Sequence, residues 1–483
     1  MSLQFIFGNS GSGKSHYLYQ QIVEESIRHP EKNYLVLVPE QFTMQTQKDL
    51  CMAHPRGGIM NIDVLSFGRL AHRVFEETGK ERQPILDDEG KNLVLRKIAG
   101  NYEDELTVLK GNLKKQGYIS EVKSVISEFT QYGIDFEQLD SFMEGLNSES
   151  YLYYKLKDIR KVYEGFEDYL RDKYITKEEL LDVLSQTVPE AKMLKDSVIA
   201  MDGFTGFTPV QNRLIGELLK VCDKIMLTVE IDRREDPFVY KHPYQLFALS
   251  KQMVTSLTEV AQEVRVEIDE PVWLCKNPSY RFKENPEMAF LEEELFRYSR
   301  RKYSGEKMRS ISLHEVHTPQ EEAQYVAEEI RRLVREEGYR YREIAVIASD
   351  LSTYADALEK ACDRYEIPVF MDHKKSILLN SFVEYLRSLL VMVEQNYTYE
   401  SVFRYLRTSL CGFTRDEVDR LENYCLALDL KGFKKWDQVW VRKTPMTTKE
   451  ELEELNHLRM RFVEKLTSLH TVLKKRKKTV KEI

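Results

Sequence analysis

Three features of this sequence of 483 residues predict an α/β fold: a parallel sheet built around a phosphate-binding loop and interrupted by a large helical insertion. Strand and helix signals alternate over residues 1 to about 75, the pattern of a βαβαβ unit. Gly8, Asn9, Ser10, Gly11, Ser12, Gly13, Lys14 and Ser15 satisfy G-x-x-x-x-G-K-[ST] between a strand and a helix, the context that this motif requires. Amphipathic helices then take over from about 88 to 190, before apolar strands return with Val198–Asp202 and Ile225–Val229.

Each element follows from its residues. Leu3, Phe5, Ile6 and Phe7 make an apolar strand over 3–7, and a helix is expected over 14–27. The continuous apolar run Tyr34–Val38 suits a strand with helices on both faces. A helix over 43–52, a strand over 62–66 and a helix from about 68 complete the opening unit. In the insertion, Leu152, Leu156, Ile159, Tyr163, Phe166 and Leu170 recur at spacings of three and four, the signature of an amphipathic helix. Its tyrosines (Tyr151, Tyr153, Tyr154, Tyr163, Tyr169, Tyr174) suit either a packed core or base stacking. Residues 233–300 hold five prolines and read as irregular, a connecting region. A second α/β unit is expected from strands at Ser310–Val316 and Ile344–Ala348 and helices over about 319–337 and 352–365. The chain is helical again from about 397 and finishes in the basic run Lys474–Lys478. That run could meet phosphate backbone but reads first as a solvated chain end.

Composition narrows the function classes. Charged residues make up 31% and apolar residues 42%, and no apolar run approaches the ~18 residues needed to span a bilayer, so no membrane association is expected. Residues 1–30 lack a basic segment followed by an apolar core, so a cytoplasmic location is expected. The six cysteines are scattered without a C-x-x-C spacing and read as reduced thiols, not as a metal or iron–sulfur site. With a net charge of −8, any nucleic-acid contact must come from local basic surface.

The loop carries the chemistry. Its glycines let backbone N–H groups curl around phosphate oxygens, aided by the following helix N-terminus. Lys14 is expected on the β/γ-phosphates of ATP and the Ser15 hydroxyl on Mg²⁺. Asp202 ends an apolar strand, the place of the second metal-holding group; Asp202-Gly203 is also an ordinary turn dipeptide.

Beyond the loop, the strings Val38-Pro-Glu-Gln-Phe-Thr43, Val64-Leu-Ser-Phe-Gly-Arg-Leu70 and Met201-Asp-Gly-Phe-Thr-Gly-Phe-Thr-Pro209 make the chain resemble the UvrD/Rep-like superfamily 1 helicases. Among them it is most similar to the AddB family of the bacterial AddAB helicase–nucleases. The resemblance implies P-loop RecA-like parallel sheet domains with large helical insertions: a motor-like domain 1A (1–87 plus 191–235), a helical insertion 1B (88–190), a connecting region (236–300), the first part of domain 2A (301–395) and a 2B insertion (396–483). It implies an AddA-type helicase partner in a heterodimer, single- and double-stranded DNA as ligands, and a role in double-strand-break repair by homologous recombination. Ser66, Phe67 and Arg69 become candidates for touching DNA; a helix start with a packed Phe is the structural alternative. Full-length members carry a 5′→3′ exonuclease domain with a [4Fe–4S] cluster. Neither is visible here, so an amino-terminal fragment or a truncated coding sequence is expected.

Motor activity is expected to be weak or absent. The residue after Asp202 is Gly203 where a motor has a water-activating Glu, and Ser349 stands where a γ-phosphate-sensing Arg is expected. Each loss removes on the order of 10³-fold in rate. Two rivals remain: a stand-alone P-loop ATPase or phosphotransferase, and a non-catalytic DNA-binding scaffold with a vestigial loop. The first would need an arginine and a carboxylate facing the loop, and the sequence offers no such set.

Overall fold

In the computed structural model, which describes residues 1–79, 84–113, 115–171, 173–305, 308–371, 376–445 and 447–475, the amino-terminal apolar run forms β1 (Ser2–Gly8). It is followed by α1 (Lys14–Arg28), β2 (Tyr34–Leu37), α2 (Thr43–Ala53), β3 (Ile62–Leu65) and α3 (Phe67–Thr78), within a residue or two of the expected bounds. The chain then leaves the sheet through β4 (Ile85–Leu86), α4 (Asp88–Asn101), α5 (Gln116–Tyr132), α6 (Phe136–Glu144), α7 (Tyr151–Leu170), β5 (Ile175–Thr176) and α8 (Leu180–Thr187). It returns with β6 (Val198–Met201), α9 (Pro209–Leu219) and β7 (Lys224–Glu230), and closes with α10 (Ala248–Glu263), β8 (Glu267–Ile268), β9 (Val272–Trp273) and α11 (Pro286–Glu294).

The sheet runs β3-β2-β6-β7-β1, with β8 and β9 both added to the free edge of β1. Every pairing is parallel. Parallel strands put all their carboxyl ends on one edge, so the loops after β1, β2, β3, β6 and β7 gather there, the usual place for a ligand in an open α/β sheet. Leu3, Phe5, Phe7, Ile199, Met201 and Leu227 pack on one side with residues of α3, α8, α9 and α10. Ile6, Tyr34, Val36, Ala200 and Met226 pack on the other with Leu18 and Ile22 of α1. Covering both faces explains why these strands read as unbroken apolar runs.

Residues 233–300 are not merely irregular. They contain a 16-residue helix, α10, whose Met253, Val254 and Leu257 enter the sheet core. They also contain the two edge strands, each of two residues, too short for a period-two pattern to show in sequence.

The helical insertion has its own core, in which Leu95, Ile98, Val122, Val162 and Phe166 interlock. Tyr163 is buried there and Tyr169 and Tyr174 pack against it, whereas Tyr151 and Tyr154 are exposed. Buried Asp158 fixes the turn after α4 by accepting backbone N–H groups from Thr107 (2.9 Å), Val108 (2.7 Å) and Leu109 (2.9 Å).

Residues His314–Ile483 form a second compact unit. It contains α12 (Pro319–Glu336), α13 (Leu351–Arg364), α14 (Ser381–Glu394), α15 (Tyr399–Leu406), α16 (Arg415–Leu428), α17 (Phe433–Asp437) and α18 (Lys449–Lys474). Ala323, Ala327 and Ile330 of α12 meet Leu358, Ala361 and Cys362 of α13, while α14 to α18 close around Trp436, Tyr397 and Phe462. The expected strands at 310–316 and 344–348 are not formed. A strand is a pairing, and among the described residues neither segment has a ladder partner; Ile347 remains 94% exposed. Of the basic run, Lys474 and Lys475 are described and Arg476–Lys478 lie outside the described residues.

Burial beside Glu179 pushes the Glu167 carboxyl of α7 up to about 7 from an ordinary 4.5. A carboxyl whose folded pKa is raised contributes stability in its protonated form, lost as pH rises from about 4.5 through about 7, because the folded state binds the extra proton. The melting temperature is expected to fall across that window, and Glu167→Gln to flatten the fall and melt higher at pH 8, as read by thermal denaturation monitored by circular dichroism.

Candidate functional site

The residues after β1 fold as the motif demands. Gly11 (φ 70°) and Gly13 (φ 93°) are left-handed, a conformation open to glycine at little cost. Gly13 is the residue from which α1 starts, and no side chain caps that end, so its N–H groups remain free for an anion. Gly8 is needed for closeness: a Cβ there would lie 2.4 Å from Ser12 Oγ and 2.8 Å from the Leu274 carbonyl oxygen. The loop is braced from within, since Lys14 Nζ donates to the Asn9 carbonyl (2.9 Å). It is braced from outside by Asn9 Nδ2, which donates to both carboxylate oxygens of Glu292 on α11 (3.0 Å each). Burial lowers the Lys14 pKa, the Arg281 guanidinium adds to the effect, and Glu230 and Asp202 oppose it.

Asp202 lies one residue beyond β6, buried to 7% exposure. Three hydroxyls donate to it: Ser15 Oγ to Oδ1 (3.1 Å), Thr228 Oγ1 of β7 to Oδ1 (2.5 Å) and the Tyr19 hydroxyl of α1 to Oδ2 (2.8 Å). The Tyr19 oxygen is also 3.3 Å from Thr46 Oγ1 on α2. Burial, then the Asp202 charge, raises the Tyr19 pKa, so this phenol stays a donor. A plain turn dipeptide would not collect three donors from two elements. Ser15 Oγ and Asp202 Oδ1, at hydrogen-bond separation, are hard oxygen donors of the kind that hold Mg²⁺ when phosphate and water complete its shell.

A cleft of about 820 Å³ opens over these groups and is lined by Lys14, Ser15, Asp202, Glu230, Tyr280 and Arg281 among others. Arg281 is an arginine beside the loop that sequence reasoning did not find. It sits in a 3₁₀ turn, Tyr280–Phe282, whose Arg281 N–H donates to the Gly11 carbonyl (3.0 Å). The turn crosses the loop so closely that a Cβ on Gly11 would stand 2.7 Å from Arg281 Cβ. Glu230 arrives by register: β1 and β7 pair so that Gly8 faces Glu230. Tyr19, Thr228, Glu230 and Arg281 are the site residues that sequence reasoning missed; a carboxylate ending the strand Lys224–Glu230 was the one signal available for any of them.

The other quoted strings converge beside this cleft. Gly203 (φ 77°) points its Cα toward Pro39 and Phe42, which a Cβ would meet at 3.6 and 3.8 Å. Phe204, tilted, and Phe207, edge-on, pack around Phe67 at centroid distances of 5.5 and 6.2 Å. Of the three DNA candidates, Ser66 caps α3 by accepting from the Arg69 N–H and Phe67 is buried, the packed helix start weighed as their alternative. Arg69 is exposed.

A five-strand parallel core with a phosphate-binding loop after β1, and with Asp202 held against the loop's serine from the strand two places away, defines a P-loop nucleotide-binding domain. Comparison with known proteins narrows the class. The family model described as "ADDB, N-terminal" matches residues 5–292, and the UvrD-like helicase C-terminal domain matches residues 281–482. The chain belongs to the AddB family. It is similar to proteins named as the B subunit of an ATP-dependent helicase/deoxyribonuclease from Lachnoclostridium phytofermentans (40% identical) and Clostridium perfringens (34%), in each case over 100% of this chain and 42% of the relative. The Acetivibrio thermocellus protein of that name is 32% identical over 99% of this chain and 42% of its own length. The chain thus spans about two fifths of these relatives.

Two outcomes are expected. Tyr19→Phe removes a hydrogen bond to a carboxylate, an interaction of about 1.5–3 kcal/mol. It should weaken the Mg²⁺ dependence of nucleotide binding roughly tenfold while leaving metal-free binding unchanged, measured by titrating Mg²⁺ against a fluorescent nucleotide. Because the Lys14 pKa is lowered, its charge is lost as pH rises through a range below that of an ordinary lysine. Nucleotide affinity should therefore begin to fall before the lysine range proper, and Lys14→Arg should remove the early fall in the same titration.

Proposed function

We propose that this chain is the nucleotide- and DNA-binding portion of an AddB-type helicase–nuclease component that binds Mg·ATP and single-stranded DNA and turns ATP over weakly or not at all. The single observation that carries this reading is the pairing of an intact phosphate cradle with Gly203 after Asp202. Lys14 and Arg281 face the phosphates, Ser15 and Asp202 hold the metal, and no carboxylate follows Asp202 to activate water. When bound, Mg²⁺ offsets phosphate charge; the chain's own residues bind and orient.

DNA would run across the carboxyl edge of the sheet, where Phe42 (47% exposed) and Arg69 offer an aromatic face and a cation, with Ser66 and Phe67 holding the first turn of α3 that carries Arg69. The proposed division is 1A (1–87 plus 191–235), to which 236–300, expected as a connecting region, is joined by α10, β8 and β9, with 1B (88–190), 2A (301–395) and 2B (396–483). The relatives are named as one component of a multi-chain enzyme, which supports a heterodimer with an AddA-type partner. Their helicase and deoxyribonuclease names support a hydrolase complex in double-strand-break repair, in the cytoplasm. No helix among the described residues is long and apolar enough to cross a membrane. The described residues bring no three metal-ligating side chains together.

A second reading, a stand-alone ATPase, rests on Glu230, a carboxylate inside the cleft. One experiment separates the two: labelled ATP binding and turnover by this chain and by Lys14→Ala, with and without single-stranded DNA. Binding that depends on Lys14 without DNA-stimulated turnover is expected. Robust turnover abolished by Glu230→Gln would establish the second reading, and absence of binding would leave a vestigial loop.

A further inference from the structure

The segment that follows α11, Leu295–Tyr303, reads L-F-R-Y-S-R-R-K-Y, and the structure sorts its residues by direction. Two arginines are engaged, Arg297 partly buried and Arg301 at the surface. Arg297 donates to Asp232 (2.7 Å) and Glu235 (3.1 Å), just past the end of β7, and lies over the Phe247 ring at 5.2 Å. Arg301 turns back to Glu294 (2.5 Å) and Glu293 (3.3 Å) and lies over Phe290 at 5.8 Å. Tyr303 packs on the same Phe290 ring. The residues between and beside these anchors face water: Phe296 is 70% exposed and Tyr298 fully exposed. Arg300 and Lys302 are exposed too, and among the described residues neither has an ion pair.

These anchors settle the local charge balance. The acidic residues nearest the strap are already engaged, Glu292 by Asn9 and Glu293 and Glu294 by Arg301. The cations left over are Arg300 and Lys302. Leaving two large aromatic side chains in water forgoes burial that an ordinary loop would seek. Two aromatic faces followed along the chain by two unpaired cations, on a backbone pinned at both ends, is a composition that can take unstacked bases and the phosphates next to them. A duplex offers the cations its phosphates but keeps its base faces stacked away from the rings.

We propose that the strap Phe296–Lys302 is a binding site for single-stranded DNA, with Phe296 and Tyr298 stacking on bases and Arg300 and Lys302 meeting phosphates. The site rests on the DNA-binding reading above and adds a contact that none of the quoted strings contains. Its anchor at Asp232 lies two residues from Glu230 of the nucleotide cleft, so the strap hangs from the strand that lines the nucleotide.

The test uses the full chain and a fluorescent oligothymidine, with anisotropy read over a range of salt concentrations. Phe296→Ala with Tyr298→Ala should weaken binding about tenfold or more, while Tyr298→Phe retains it. Arg300→Ala with Lys302→Ala should lower the slope of log affinity against log salt by about 1.4, near 0.7 per lost phosphate contact. Lys14-dependent nucleotide binding, unchanged in these variants, reports that they fold. Wild-type binding that survives both double substitutions overturns the strap alone, and so does an equal loss of duplex binding in the aromatic variant. A wild-type chain that binds no oligonucleotide overturns the strap together with the DNA-binding reading.

Discussion

The parallel pairing of β1 with β7 is the constraint on which the nucleotide site depends. The two strands are separated in sequence by the whole helical insertion, yet they pair along seven residues, from Ser2 opposite Lys224 to Gly8 opposite Glu230. This register places the phosphate loop beside the end of β7 and sets the spacing between Lys14, Thr228 and Glu230. It also explains how an insertion of about a hundred residues is tolerated: it leaves and re-enters at the rim, through α3 and α8, without disturbing a ladder. Edge strands β8 and β9 then lock β1 from its other side and deliver the turn that carries Arg281.

Around that pairing, Asp202 acts as the knot. A buried carboxylate without partners would be costly; here each hydroxyl that satisfies it comes from a different place, the start of α1, its second turn and β7. The carboxylate therefore fixes the positions of α1 and β7 relative to β6. Through Tyr19 and Thr46 the same group reaches α2, which begins directly after Pro39–Phe42. Two hydroxyls thus join Asp202 to the helix that follows the segment proposed for DNA.

Much of this was legible in the sequence because it rests on local signals. Continuous apolar runs located β1, β2, β6 and β7, and three-four spacing located the helices of the insertion. The loop motif located Lys14 and Ser15, and an acidic residue closing an apolar strand located Asp202. What escaped has a common physical origin. Arg281 meets the loop through one backbone hydrogen bond to Gly11, across some 270 positions of chain, and no periodicity encodes such a meeting. Tyr19 looks like an ordinary helix residue until the fold turns its hydroxyl toward Asp202. The segments 310–316 and 344–348 failed in the other direction: their composition is that of strands, but composition does not supply a partner.

Gly203 limits what the turn after β6 can carry. Its φ of 77° is a backbone state in which an L-residue incurs about 1–2 kcal/mol of strain, and Pro39 and Phe42 border the place where a side chain would begin. A glutamate placed here would meet a backbone shaped for glycine, with a proline beside it. A carboxylate at this position without strain requires the turn itself to be rebuilt, so a single substitution cannot install one at no cost to the fold.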